Sequence, residues 1–193
     1  MNIKQKTLDK WIKISEKIDH INEKVGTFVY WLTLFMVIIS AYNAITRYLG
    51  KYIGIDLASN ALIELQWYLF SVIFLLGAAY GLKHNAHVRV DVIYNLWPDR
   101  IKTMINIYGT LFFLLPFTIL MIFVSIPTVM NSWKVLEISP DPGGLPRFPL
   151  KTLIPIAFLL LFLQGISFLV KNIAHLKKGY QIQEEEPITE KTV

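Results

Sequence analysis

Four stretches of the chain, residues 25–46, 65–82, 103–133 and 152–170, contain no Asp, Glu, Lys, Arg or His. The charged residues crowd into the segments between them. A helix rising 1.5 Å per residue needs about 20 apolar residues to cross about 30 Å of hydrocarbon, and a charge at its centre costs roughly 2.5–3.5 kcal/mol. The pattern therefore predicts four spanning helices, at about 25–47, 62–82, 104–130 and 150–172. Strands of a membrane barrel would alternate polar and apolar positions, and these runs do not. Buried helices of a soluble domain are shorter and mixed with amphipathic neighbours, and four uncharged runs would leave too little polar surface to cover them.

The segment before the first run has a different rhythm. At 100° per residue, Leu8, Trp11, Ile12, Ile14, Ile18, Ile21 and Val25 fall on one half of the wheel, with most of the charged residues on the other. Residues 1–24 are thus expected to form an amphipathic helix on the inner membrane surface, with Trp11 at headgroup depth, or to pack on a partner's cytoplasmic face. The polar stretch before the first run also marks that run as a retained anchor, not a cleaved leader. Residues 173–193 end in the acidic, proline-containing QIQEEEPITEKTV and are expected to form a disordered tail. The third run, at 31 residues, exceeds what the bilayer requires. Pro116 should kink it, and the helix should tilt or end near Pro127.

Composition agrees with the pattern: 54% of residues are hydrophobic, 17% are charged, and the mean hydropathy is +0.46. Charge sets the orientation. Fourteen of the nineteen Lys and Arg residues lie before the first run, between the second and third, or after the fourth. The excess of basic residues on one side predicts that both termini and the 83–102 loop are cytoplasmic. The net charge of +5 then reports orientation and contact with anionic lipid, not nucleic-acid binding. The chain has no cysteine, which removes disulfides, thiol nucleophiles and Cys-based metal or iron–sulfur sites. The fold class is an all-α membrane protein: four transmembrane helices preceded by an amphipathic interfacial helix, with both termini cytoplasmic.

Candidate chemistry is sparse. In GLKHNAHVRVDV, residues 81–92, His84 and His87 are three apart and fit one helix face, but a stable metal site needs a third or fourth ligand. His20 and His175 are distant in sequence, so boundary residues meeting water, lipid phosphates and helix ends are the simpler assignment. No span carries a histidine to ligate haem. Arg89 and Asp91, two apart, share a face only if the piece is extended, and are expected to anchor an interfacial turn. Glu64 stands about one turn inside the second span, and Arg47 closes the first span on the same side. A salt bridge tying the two helices, or a link to a partner subunit, is preferred to proton relay. Gly77 and Gly81 have the small-xxx-small spacing that admits a second helix. Between Lys134 and Lys151, Pro140, Pro142, Pro146 and Pro149, with Gly143 and Gly144, predict a stiff outer loop. Such a loop either docks a partner, with Asp141 and Arg147 as candidate charges, or merely caps the bundle.

There is no phosphate-binding GxxxxGK[ST] loop and no pair of repeated halves around a midplane site. Those absences point to an accessory subunit. The stretches ELQWYLFSVIFLLGAAYGLKHNAHVRVDV and SPDPGGLPRFPLKTLIPIAFLLLFLQG, in that order, resemble the DctQ-like small membrane subunit of tripartite ATP-independent periplasmic (TRAP) transporters, over roughly residues 25–172. The resemblance implies a bacterial inner-membrane protein with two partners, a large permease subunit and a periplasmic solute-binding protein that delivers an organic acid. The small subunit would brace the large elevator-type subunit and help dock the binding protein. It would hold no cofactor, no metal and no catalytic or substrate-binding residue, the sodium ions being bound by the large subunit. Two rivals stay open: a membrane anchor of a redox complex, and a stand-alone four-helix sensor or lipid-binding protein.

Overall fold

The computed structural model describes residues 3–54, 59–86 and 97–178, with side chains from residue 8 to residue 177. Four helical rods make up the described residues, and no strand is present among them. They are α1 (Ile3–Ile53), α2 (Asn60–Lys83), α3 (Asp99–Lys134) and α4 (Phe148–Lys178). All four are long and apolar enough to cross a membrane. α4 is the central helix: α1, α2 and α3 all pack on it, and α1 and α2 also pack on each other.

Small and polar side chains make up most of the buried residues, with Ile39, Leu69 and Leu82 as the large aliphatic ones among the described residues. Ala79, Ala157, Ala174, Ser15, Thr118, Ser167, Asn22, Gln164 and Asn172 are buried, whereas Trp31, Phe74, Phe113 and Phe123 point outward. A soluble protein would do the reverse. Lipid tails are as apolar as leucine, so burying leucine between helices gains little in a bilayer, while small residues allow close backbone approach and polar ones bond across helices. α3 shows the principle in its sequence. Its buried residues Thr103, Thr110, Thr118, Ser125 and Ser132 recur every seven or eight positions, a hydroxyl stripe down one face. Thr103, Thr118 and Ser125 satisfy their own hydroxyls on carbonyls three or four residues back, which leaves the stripe smooth for packing.

α3 passes both of its prolines. Residues Thr110–Leu114 form a π turn immediately before Pro116. The wider turn accommodates the proline ring, which would otherwise strike the carbonyl of the preceding turn. The helix then continues through Pro127 to Lys134 instead of ending there. A missing N–H and one displaced carbonyl are tolerated because the rest of the rod is held against α4.

No helical break separates residues 3–24 from the first run, since α1 is a single helix of 51 residues, about 75 Å long. The amphipathic part also turns the opposite way from a surface helix. Ser15, Asp19 and Asn22 are buried against α4, while Trp11 and Ile21 are about half exposed, at 48% and 52%. Polar partners on α4 explain this, because an amphipathic stripe does not itself say which face a neighbour will cover.

Candidate functional site

Three polar clusters organise the bundle. At one end, α2 grips the loop between α3 and α4. Asn60, Glu64 and Tyr68 recur every four residues and so share one face of α2. Asn60 Nδ2 donates to the carbonyl of Pro142 at 3.0 Å, and Tyr68 Oη donates to the carbonyl of Leu145 at 3.1 Å. Between them the Glu64 carboxylate accepts the Leu145 N–H at 2.6 Å and the Ser139 hydroxyl. Gly144 lies directly over this carboxylate: a Cβ there would sit 2.9 Å from Glu64 Oε2 and 2.5 Å from Ser139 Cβ.

The loop is shaped by its own backbone as well. Ile138 and Pro146 form an antiparallel bridge, with Ser139 N–H on the Leu145 carbonyl at 3.1 Å and Arg147 N–H on the Glu137 carbonyl at 2.8 Å. Gly143, at φ 73°, makes the turn, where a side chain would be strained. Glu137 is bonded by the Lys151 ammonium and by Ser132 Oγ at 2.7 Å, which together hold its carboxyl below the usual range. Trp133 closes the base, donating to Thr152 Oγ1 at 2.8 Å and packing edge-on to Phe148.

At the opposite end, α1 and α2 meet around Glu23. Its carboxylate pairs with the Lys83 ammonium and with His84 Nε2 at 3.0 Å. Tyr80 packs on His84 with ring centroids 4.3 Å apart and meets Tyr30 edge-on at 5.9 Å. Beneath the Tyr80 ring lies Gly26, where an added Cβ would come within 2.1 Å of the ring. Gly26 thus admits an aromatic ring of the neighbouring helix, and no sequence motif marks it. A third cluster joins α1 to α4: Asp19 accepts Gln164 Nε2 at 3.0 Å, Ser167 Oγ at 2.6 Å and the Lys171 ammonium, and Asn22 Nδ2 donates to Gln164 Oε1 at 2.6 Å.

The sequence candidates distribute among these clusters as follows. Glu64 is buried and bonded to the loop, not to Arg47, which is exposed on α1. The expected Arg47–Glu64 bridge is therefore replaced by Ser139 and Leu145: the folded-back loop brings better-aligned donors to the carboxylate than a long side chain at a helix end. Arg147 turns toward the same cluster, its Nη2 3.5 Å from Ser139 Oγ, whereas Asp141 stays exposed. Gly77 faces open space, with no atom near a Cβ built there. Gly81 lies one turn further on and accepts the Ala86 N–H at 2.9 Å. His87, Arg89 and Asp91 lie outside the described residues. His84 is engaged with Glu23, and no group of three or more His, Asp or Glu gathers among the described residues.

Fold and clusters together define a small multi-pass helical membrane protein whose polar side chains fasten its own helices and loop. The family model for the DctQ component of tripartite ATP-independent periplasmic transporters matches residues 28–175, and the chain belongs to that family. It is thus a small membrane subunit of the TRAP transporter type. No curated protein and no solved structure matches it.

Proposed function

We propose that this subunit serves a sodium-driven TRAP transporter that imports an organic acid, as the fixed brace for a large elevator-type permease subunit. The observation that carries the proposal is the family match, which runs from residue 28, within α1, to residue 175, near the end of α4, and so includes all four apolar runs. Two structural features support it. α2 carries an outward stripe, Trp67, Phe70 and Phe74 at 73%, 59% and 69% exposure, that continues into the open Gly77 position. Large apolar side chains beside a vacant glycine suit close packing of a partner helix. The anchored loop supplies the second feature: a fixed surface with Asp141 exposed, suited to a periplasmic binding protein.

In this reading both termini are cytoplasmic and the loop is periplasmic. Sodium and substrate are bound by the large subunit, and membrane lipid covers the remaining apolar surface. Co-purification tests the proposal. Affinity-tagged chain extracted from native membranes should bring down a large multi-span permease in constant ratio. Recovery of the chain alone, or with a redox subunit carrying a haem spectrum, would overturn it.

A further inference from the structure

α2 and α3 end in the same hydrogen-bond pattern with different residues at its critical position. After α2, the Ala86 N–H reaches the Gly81 carbonyl at 2.9 Å, and Asn85 takes the left-handed φ of 51°. After α3, the Glu137 N–H reaches the Ser132 carbonyl at 3.0 Å, the Leu136 N–H reaches the Trp133 carbonyl at 3.3 Å, and Leu136 takes φ 45°. Asparagine tolerates that conformation and glycine is favoured in it, but a leucine is strained there. The chain gives the leucine little packing in return. Leu136 is 57% exposed, and its neighbours Val135 and Ile138 are 72% and 64% exposed.

Depth identifies what covers them. Ser139, next to Ile138, is bonded to Glu64. Glu64 lies 19 residues along α2 from Lys83 at the helix's other end, a rise of about 28 Å against a hydrocarbon thickness of about 30 Å. The turn therefore sits at the edge of the hydrocarbon, not out in water. Its polar groups face inward, Glu137 to Lys151 and Ser132, and Ser139 to Glu64. What remains outward on the turn is apolar, Val135, Leu136 and Ile138, and the preceding turns of α3 also expose Ile126, Met130 and Trp133. The exposed Lys134 is placed to reach lipid phosphates, and Trp133 suits the headgroup layer.

We propose that Val135, Leu136 and Ile138 form a lipid-seated knob that dips into the leaflet at the loop end and fixes the loop's height relative to the bilayer. The inference rests on the membrane-spanning fold and is independent of any transport partner. Because the chain has no cysteine, single labels are unambiguous. Full-length Leu136→Cys and Asp141→Cys, each spin-labelled, are placed alone in phosphatidylethanolamine/phosphatidylglycerol vesicles. Collisions with oxygen, which concentrates in hydrocarbon, are then compared with collisions with a water-soluble nickel chelate. The label at 136 should favour oxygen and the label at 141 should favour nickel. Equal nickel access at both sites would overturn the proposal, as would an oxygen preference at 136 that vanishes when the large permease subunit is added. Val135→Cys and Ile138→Cys give the same readout if Leu136→Cys does not fold.

Discussion

The carboxylate of Glu64 and the backbone N–H of Leu145, 81 positions apart in the chain, meet at 2.6 Å. That bond, with the Ser139 hydroxyl on the same carboxylate, fastens the α3–α4 loop to the first turns of α2. Glu64→Ala removes the acceptor for both donors and should release the loop while leaving the four helices formed. Hydrogen exchange at the Leu145 amide should quicken, with helical circular dichroism unchanged. An unaltered exchange rate would show that the loop holds its shape without α2.

The two glycines Gly26 and Gly77 predict opposite phenotypes. A side chain at Gly26 collides with the Tyr80 ring, so Gly26→Leu should drive α1 from α2 and cost about 1–3 kcal/mol. Gly77→Leu meets open space within the chain and should leave the melting temperature in detergent nearly unchanged. If the α2 stripe is the partner face, Gly77→Leu should still lower recovery of the large subunit. Melting curves and pull-downs on both variants separate the two roles.

Asp19 is the acceptor that holds α1 to α4 through Gln164, Ser167 and Lys171. Asp19→Ala should destabilise the bundle by about 1–3 kcal/mol, because it strands buried donors in a region of low polarity. Asp19→Asn keeps an acceptor oxygen and should cost less. Thermal unfolding in one detergent, compared across the two variants, checks the order.

Glu137 gives the loop end a pH dependence of defined sign. The Lys151 ammonium and the Ser132 hydroxyl hold its carboxyl below the ordinary value of 4.5. A group whose pKa is depressed on folding contributes stability that is complete above its unfolded value and is lost as pH falls through the folded one. The loop should therefore loosen as pH falls below 4.5, while near neutrality this group's contribution is complete and does not change with pH. Melting curves of the wild type and Glu137→Gln should converge in acid and differ at neutrality.

The spans were legible because the cost of a charge in hydrocarbon empties them of ionisable residues, and that signal is local. The outer loop's turn was legible too, since Pro140, Pro142 and Pro146 restrict the backbone and Gly143 permits the positive φ that the turn takes. Pairings across the fold were not. Arg47 looked like the natural partner of Glu64 because both close spans on the same side, yet Ser139 and Leu145 reach the carboxylate through a loop that no periodicity describes. Residues 1–24 showed a clear amphipathic wheel, but which half faces a neighbour depended on Gln164 and Ser167, hidden in a charge-free run. Gly26 carried no motif because its partner is a single aromatic ring on another helix.

Solute uptake by reconstituted vesicles tests the central claim, that this chain braces a transporter without itself moving cargo. Vesicles holding the large permease subunit together with this chain, supplied with the binding protein and a sodium gradient, should accumulate the organic acid, and vesicles holding this chain alone should not. Sodium-driven accumulation by the chain alone, or full uptake by the large subunit without it, would contradict the account.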